Sequence, residues 1–274
     1  MFTLINSLAD LSFLNEELKS KEIIAIDTEF RRTTKTNMRL ALLQVNDGEE
    51  IFIIDPLSIG HPEDKCSFLY CNSVKKIIHS CREDIEAIYS WTGHKLSNVF
   101  DTQIANSFLG GEHSISYQSL VEKKLGIKID KGETRSNWIR RPLSDSQLKY
   151  ATSDVEYLIH LFLLQEKKLV NSKKIEWFQE EISFLISNSL IEINHESCER
   201  LISRNQEEEL LNKFNELVLS LSIDKAINPT LLFSKRSQKD FLRKAMKSDL
   251  HQAFQATTNW REKLLKEPLE LLLH

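Results

Sequence analysis

Two hydrophobic rhythms divide the chain. In the first half, short apolar runs of strand length alternate with helical stretches; from Lys168 onward the chain reads as continuous helix signals, broken at Asn228-Pro229, which opens a further helical segment. Leu8, Leu11, Leu14 and Leu18 predict an amphipathic helix with acids on its other face. The β-branched run Ile23-Ile24-Ala25-Ile26, continuing into Asp27-Thr28-Glu29-Phe30, predicts a core strand. Leu40–Val45 and Ile51–Ile54, separated by the turn-forming Asn46-Asp47-Gly48, predict two more strands and hence an antiparallel meander. Val74–His79 predicts a fourth strand, Glu83–Tyr89 a helix, and Val99-Phe100-Asp101 a fifth strand. Helices follow over Thr102–Leu109, stopped by Gly110-Gly111, and over Ser119–Leu125, stopped by Gly126. Ser144 with Gln147 is a capping box that opens a helix running to Leu158. The expectation is an α/β domain with a sheet flanked by helices, followed by a smaller all-α domain.

Length and composition refine this picture. At 274 residues the chain has material for one large domain and a smaller one, and its seven glycines and five prolines form no flexible linker. The boundaries are expected at 1–170 for the α/β domain, 171–200 for a helical connector and 201–274 for the terminal domain. A net charge of −4 carries no global signal for polyanion binding, yet the sum can hide a basic groove beside an acidic centre. Cys66, Cys71, Cys81 and Cys198 lack CxxC spacing and companion histidines, so free thiols are expected in a reducing, cytoplasmic setting. Polar residues interrupt the N-terminal apolar positions, and no run is long enough to span a bilayer.

The chemistry begins at Asp27 and Glu29. Two residues apart on a strand, they share one face, and so close a pair of carboxylates at the end of an apolar strand calls for a cation, most simply a hard divalent metal. Asp84 sits in the first turn of its helix, where an acid also serves simply as favourable charge placement. Tyr150 and Asp154 lie at i and i+4 on the capped helix, either as a water-orienting group beside a metal ligand or as a hydrogen-bonded pair. The Arg-rich stretch from Lys131 to Arg141 reads equally as a surface loop offered to phosphates and a base, or as a loop anchored by the Trp138 indole. In the terminal region Lys239, Arg243 and Lys247 follow one another at i, i+4 and form a positive stripe, which is a phosphate contact or a solvated helix face. Asp101 is assigned to capping the helix at Thr102, and His79 to packing at a strand end.

Taken in order, these residues resemble the DEDDy class of 3′→5′ exonucleases, and within it ribonuclease D. The resemblance rests on Asp27-Thr28-Glu29-Phe30, on His79 to Glu86 with Phe100-Asp101-Thr102-Gln103, and on Tyr150-Ala151-Thr152-Ser153-Asp154. Trp138-Ile139-Arg140-Arg141-Pro142-Leu143 precedes the last motif, and Ile227–Arg236 with Trp260–Leu264 resembles a single HRDC-type module where the family commonly carries two. The resemblance implies a ribonuclease H-like mixed sheet in which Asp27, Glu29, Asp84 and Asp154 hold two divalent ions, Mg²⁺ or Mn²⁺, and Tyr150 positions water. It further implies a monomeric enzyme acting on RNA, tRNA precursors in particular. Phe30, Trp138, Arg140, Lys239, Arg243 and Lys247 are the expected nucleic-acid contacts. Two alternatives stand beside this expectation: a DNA exonuclease of the same superfamily, since the carboxylates act on a phosphodiester common to both substrates, and a catalytically silent RNA binder.

Overall fold

The computed structural model describes residues 2–34, 37–129, 132–133, 136–189 and 200–273. Cys198, Lys131 and Arg135 lie outside the described residues. The chain divides into two units, one of residues 1–103, 114–167 and 185–190, the other of residues 104–113, 168–184 and 191–274.

The first unit is built on a six-stranded mixed sheet: β1 (Phe2–Ile5), β2 (Ile23–Arg32), β3 (Met38–Asn46), β4 (Ile51–Ile54), β5 (Lys75–Ile78) and β6 (Val99–Asp101), in the order β1-β4-β3-β2-β5-β6. The expected meander is present, β2 antiparallel to β3 and β3 to β4. Gly48 takes φ +95° in the turn joining the last pair, a conformation open to glycine without a Cβ penalty. Beyond the meander, β5 and β6 add in parallel on the β2 side, and β1 adds in parallel to β4. Strand β1 is absent from the sequence expectation because its four residues include the exposed Thr3 and Leu4, which give no apolar run.

Helices α1 (Leu8–Lys19), α2 (Pro56–Ile59), α3 (Arg82–Thr92), α4 (Thr102–Phe108), α5 (Tyr117–Leu125), α6 (Asp145–Glu156), α7 (Leu158–Asn171) and α8 (Ile175–Asn188) follow. Helix α6 carries the predicted capping box at Ser144 and Gln147 and packs across β2, β3 and β4. Its inner face, Ala151 and Val155, is fully buried, which fixes the direction in which the neighbouring Tyr150 and Asp154 project.

The second unit is helical, with α9 (Arg204–Asp224), α10 (Pro229–Leu232), α11 (Lys235–Lys247), α12 (Leu250–Phe254) and α13 (Asn259–Leu273). Phe214, Phe233, Phe241 and Phe254 form its aromatic centre, with successive ring centroids 4.8–5.9 Å apart. This unit also takes in 104–113 and 168–184, so the division does not fall at the expected 170 and 200. The reason is local: Asn228 donates to the carbonyls of Ser107 and Gly111, Lys174 donates to those of Phe108 and Ala226, and the Phe108 ring packs edge-on against Phe178 and Trp260. No helix among the described residues is long and apolar enough to cross a membrane. Cys66, Cys71 and Cys81 are free thiols.

Candidate active site

The central strand β2 carries the first two acids outward from a buried stem. Ile24, Ala25 and Ile26 are fully buried, and Asp27 and Glu29 then share the face that α6 covers. Between Glu29 and Phe30 the pairing with β3 slips by one residue, leaving Ala41 of β3 as the extra residue of a bulge. Asp27, Thr28, Glu29 and Phe30 all line one cavity of about 260 Å³, together with His79, Ser80, Glu83, Asp84, Tyr117, Gln118, Tyr150 and Asp154.

The four predicted acids meet there from three elements. Carboxylate oxygens of Asp27, Glu29 and Asp154 all lie within 4.8 Å of one another. Asp84 arrives from the first turn of α3 and accepts a 2.5 Å hydrogen bond from the Thr28 hydroxyl on β2. Tyr150 hydrogen-bonds Asp154, its neighbour one turn on, and its ring lies 6.0 Å from that of Trp138.

The acids disturb one another. Burial first, then the charges of Asp84, Asp154 and Glu29, push the Asp27 carboxyl well above its ordinary range. Burial and the charges of Asp154 and Asp84 raise Glu29 to about 8. Burial lifts Asp84 to about 7 against the Thr28 hydrogen bond, and Asp154 to about 7 against that from Tyr150. Among the described residues lining the cavity none is a lysine or arginine. One Asp154 oxygen, Oδ1, is buried without a hydrogen-bond partner. An all-carboxylate donor set with one orphaned oxygen and no basic neighbour fits a hard divalent cation.

The surroundings of this set hold Asp101 and His79, which the sequence assigns to structural roles, and Tyr117, which the sequence pattern did not single out. Asp101 caps α4 through the Gln103 N–H, as expected, and its two oxygens also accept from the Ser80 and Cys81 N–H groups, holding the turn that leads into α3. His79 contacts the Thr102 hydroxyl at 2.8 Å and the Ile115 carbonyl at 3.0 Å. The Tyr117 hydroxyl donates to the Ser153 carbonyl and accepts from the Tyr157 N–H, pinning the end of α6.

The expected nucleic-acid contacts separate. Phe30 lines the cavity, and Arg140, Lys239 and Lys247 are exposed. Trp138 is not a platform for a base: it is 5% exposed and packs with Ala41, Leu42, Ile53 and Ala151 because Arg141 ties its carbonyl down. Arg243 is not part of an open stripe, since its guanidinium binds both carboxylate oxygens of the buried Glu207 at 2.5 and 3.0 Å.

A mixed sheet in this order, flanked by helices, with acids converging from its central strand and from two helices, is a ribonuclease H-like exonuclease fold. The chain belongs to the 3′-5′ exonuclease family, whose model matches residues 2–170. Its relatives include the ribonuclease D of Shewanella sp. (strain ANA-3), 36% identical over 66% of this chain and 47% of that one. The ribonuclease D of Haemophilus influenzae is 41% identical over 59% of this chain and 40% of its own. The chain thus spans about half the length of the ribonuclease D relatives it matches. Among solved structures, Escherichia coli RNase D, an exoribonuclease involved in structured RNA processing, superposes with a TM-score of 0.67 at 24% identity, over 99% of this chain and 74% of that one. Brucella melitensis NrnC with bound Mg²⁺ gives 0.60 at 24% identity, over 74% of this chain and 98% of its own. At these identities the two structures establish the fold.

Proposed function

We propose that the chain is a metal-dependent 3′→5′ exoribonuclease that removes nucleotides, as nucleoside 5′-monophosphates, from the 3′ ends of structured RNA precursors, tRNA among them, acting as a cytoplasmic monomer. The observation that carries this reading is the convergence of Asp27, Glu29 and Asp154 within 4.8 Å in a cavity that Asp84 and Tyr150 also line.

Asp27, Glu29, Asp84 and Asp154 would hold two divalent ions, Mg²⁺ or Mn²⁺. When bound, the ions supply Lewis acidity to the phosphodiester and to the attacking water. The protein's own groups do the rest. The Tyr150 hydroxyl donates a hydrogen bond to Asp154, which leaves the phenol oxygen as an acceptor for a water hydrogen. In that role the phenol orients the water rather than deprotonating it. Phe30, on the cavity wall, offers an apolar face to the terminal nucleoside. The helical segment 201–274 acts as an HRDC-like module in this reading, with the exposed Lys239 and Lys247 as phosphate contacts and the exposed Arg140 as a further one on the catalytic domain.

The test is degradation of RNA labelled at either end, with a matched DNA strand alongside, by wild type and Asp27→Asn in Mg²⁺, Mn²⁺ or chelator. Mononucleotide release from the 3′ end of RNA, absent in Asp27→Asn and in chelator, is expected. Equal or faster loss of DNA would move the enzyme to the deoxy branch of the superfamily. Binding of RNA with no cleavage in any metal would leave the acids as scaffold.

A further inference from the structure

Most polar groups lining the cavity are already committed. The acids form the cation set, Thr28 is bound to Asp84, both ring nitrogens of His79 have partners, and so does the Tyr117 hydroxyl. Among the described residues lining the cavity, the Ser80 hydroxyl and the Gln118 amide remain as uncharged polar groups that make no hydrogen bond within the protein.

Both sit on supports that are unusually fixed. Ser80 is exposed and has φ +63°, a left-handed conformation that a serine holds only when its surroundings impose it. The imposing group is Asp101, whose carboxylate takes the N–H of Ser80 and of Cys81. Gln118 lies in the first turn of α5, which Ser116 caps by accepting from the Ser119 N–H. The approach to that turn is held at the Ile115 carbonyl, which accepts from Gln103 Nε2 at 2.9 Å and lies 3.0 Å from His79 Nε2. His79 is the residue next to Ser80, so one imidazole links the two supports.

We propose that Ser80 and Gln118 form a wall that reads the ribose of the 3′-terminal nucleotide, favouring a 2′-hydroxyl over a deoxy sugar; this rests on the exonuclease reading above. The choice of groups fits the task. A carboxylate only accepts hydrogen bonds, and the four at the centre are taken up with the cation set. A sugar hydroxyl both donates and accepts, and so do a serine hydroxyl and a glutamine amide. The 2′-hydroxyl is the group that tells RNA from DNA at a given position. A site preorganised to bond a hydroxyl penalises the analogue that lacks it, because its own polar groups are then left without a partner. Strain at Ser80 and the fixed entry to α5 are the preorganisation.

The test compares first-nucleotide release from an RNA oligonucleotide and from the same oligonucleotide carrying one 2′-deoxynucleotide at its 3′ end. The enzymes are the wild type, Gln118→Leu and Ser80→Gly, the last removing the hydroxyl while accepting the left-handed backbone. Wild type is expected to show a kcat/KM ratio of about ten or more in favour of the ribose end. Each variant should shrink that ratio several-fold, with the loss falling on the ribose-ended substrate and the melting temperature held. A wild type that does not discriminate, variants that keep the full ratio, or variants that slow both substrates equally each overturn the ribose wall while leaving the exonuclease standing. Release from neither substrate by wild type in either metal overturns the exonuclease reading itself.

Discussion

The Arg141 guanidinium grips the Asp55 carboxylate through two parallel bonds, Nε to Oδ2 and Nη2 to Oδ1, each 2.7 Å long. The same guanidinium donates to the carbonyls of Trp138 and Ala41, so one side chain fastens the 138–143 segment onto β3 and the end of β4. Asp55 in turn caps α2 through the Leu57 and Ser58 N–H groups. Burial alone would raise the Asp55 carboxyl, but the bonds from Arg141 and Ser58 outweigh it and hold it below the usual carboxylate range. A depressed carboxyl stabilises the fold above its unfolded value of about 3.9, and that stabilisation is lost as pH falls through the folded value. Arg141→Met should therefore cost about 2–3 kcal/mol near neutral pH, by leaving a buried carboxylate unpaired. The gap in thermal stability from wild type should hold between about pH 8 and 5 and close below about pH 4. Melting curves across pH check this, and a gap that widens in acid would refute it.

Removing the Tyr150 hydroxyl separates the two readings of the Tyr150–Asp154 pair. If the phenol orients the attacking water, Tyr150→Phe lowers kcat by about 10²–10⁴-fold, the range for a lost acid–base or orienting group. The ring still packs beside Trp138, so the stability should stay within about 1 kcal/mol of wild type. A variant with full activity and lower stability would make the pair structural only.

Four carboxyls crowded into one cavity, with no lysine or arginine among the described residues lining it, make the cation-free site a source of instability. In chelator at neutral pH, Asp27→Asn should melt higher than wild type, by on the order of 1 kcal/mol or about 2–4 °C, because burial and its acidic neighbours hold the Asp27 carboxyl well above its ordinary range, a cost the amide does not carry. Adding Mn²⁺ at a hundred times its dissociation constant should stabilise wild type by about 2.7 kcal/mol and the variant far less. Differential scanning calorimetry with and without chelator reads both effects. An Asp27→Asn protein that melts lower than wild type in chelator and responds equally to Mn²⁺ would remove Asp27 from the cation set.

Much of this site was legible because its chemistry-bearing residues lie on long, strongly patterned elements. Asp27 follows an apolar stem that reads as a strand, and Tyr150 and Asp154 share a helix whose start is announced by a capping box. What stayed hidden depends on pairings distant in the chain. The bulge after Glu29 arises from register against β3 and leaves no local mark in the sequence. Strand β1 forms only because β4 offers it an edge. Arg141 meets Asp55 across 86 residues, and Asp101 reaches back 20 residues to Cys81. Trp138 shows the same limit: an indole in an Arg-rich stretch reads equally as exposed or as an anchor, and only the long-range packing on Ala41, Leu42, Ile53 and Ala151 decides for the anchor.

Arg243 and its neighbours on α11 give the last prediction, because the structure splits a stripe that the sequence presents as uniform. Arg243 is bonded to Glu207, which is 5% exposed and also meets Arg200 at 3.3 Å. Lys239 and Lys247, one turn to either side, stand in solvent. Arg243→Met should thus destabilise the helical unit by about 1.5–3 kcal/mol, the worth of hydrogen bonds to a charged group, and change RNA affinity only through that loss. Lys239→Ala and Lys247→Ala should leave stability within about 0.5 kcal/mol. Each should weaken RNA binding and flatten the dependence of log affinity on log salt by about 0.7, the share of one phosphate contact on a single strand. Filter binding across a salt series, paired with urea unfolding of each variant, separates the two roles. If Arg243→Met flattens the salt slope at unchanged stability, the guanidinium leaves Glu207 for phosphate when RNA arrives, and the stripe acts as one surface after all.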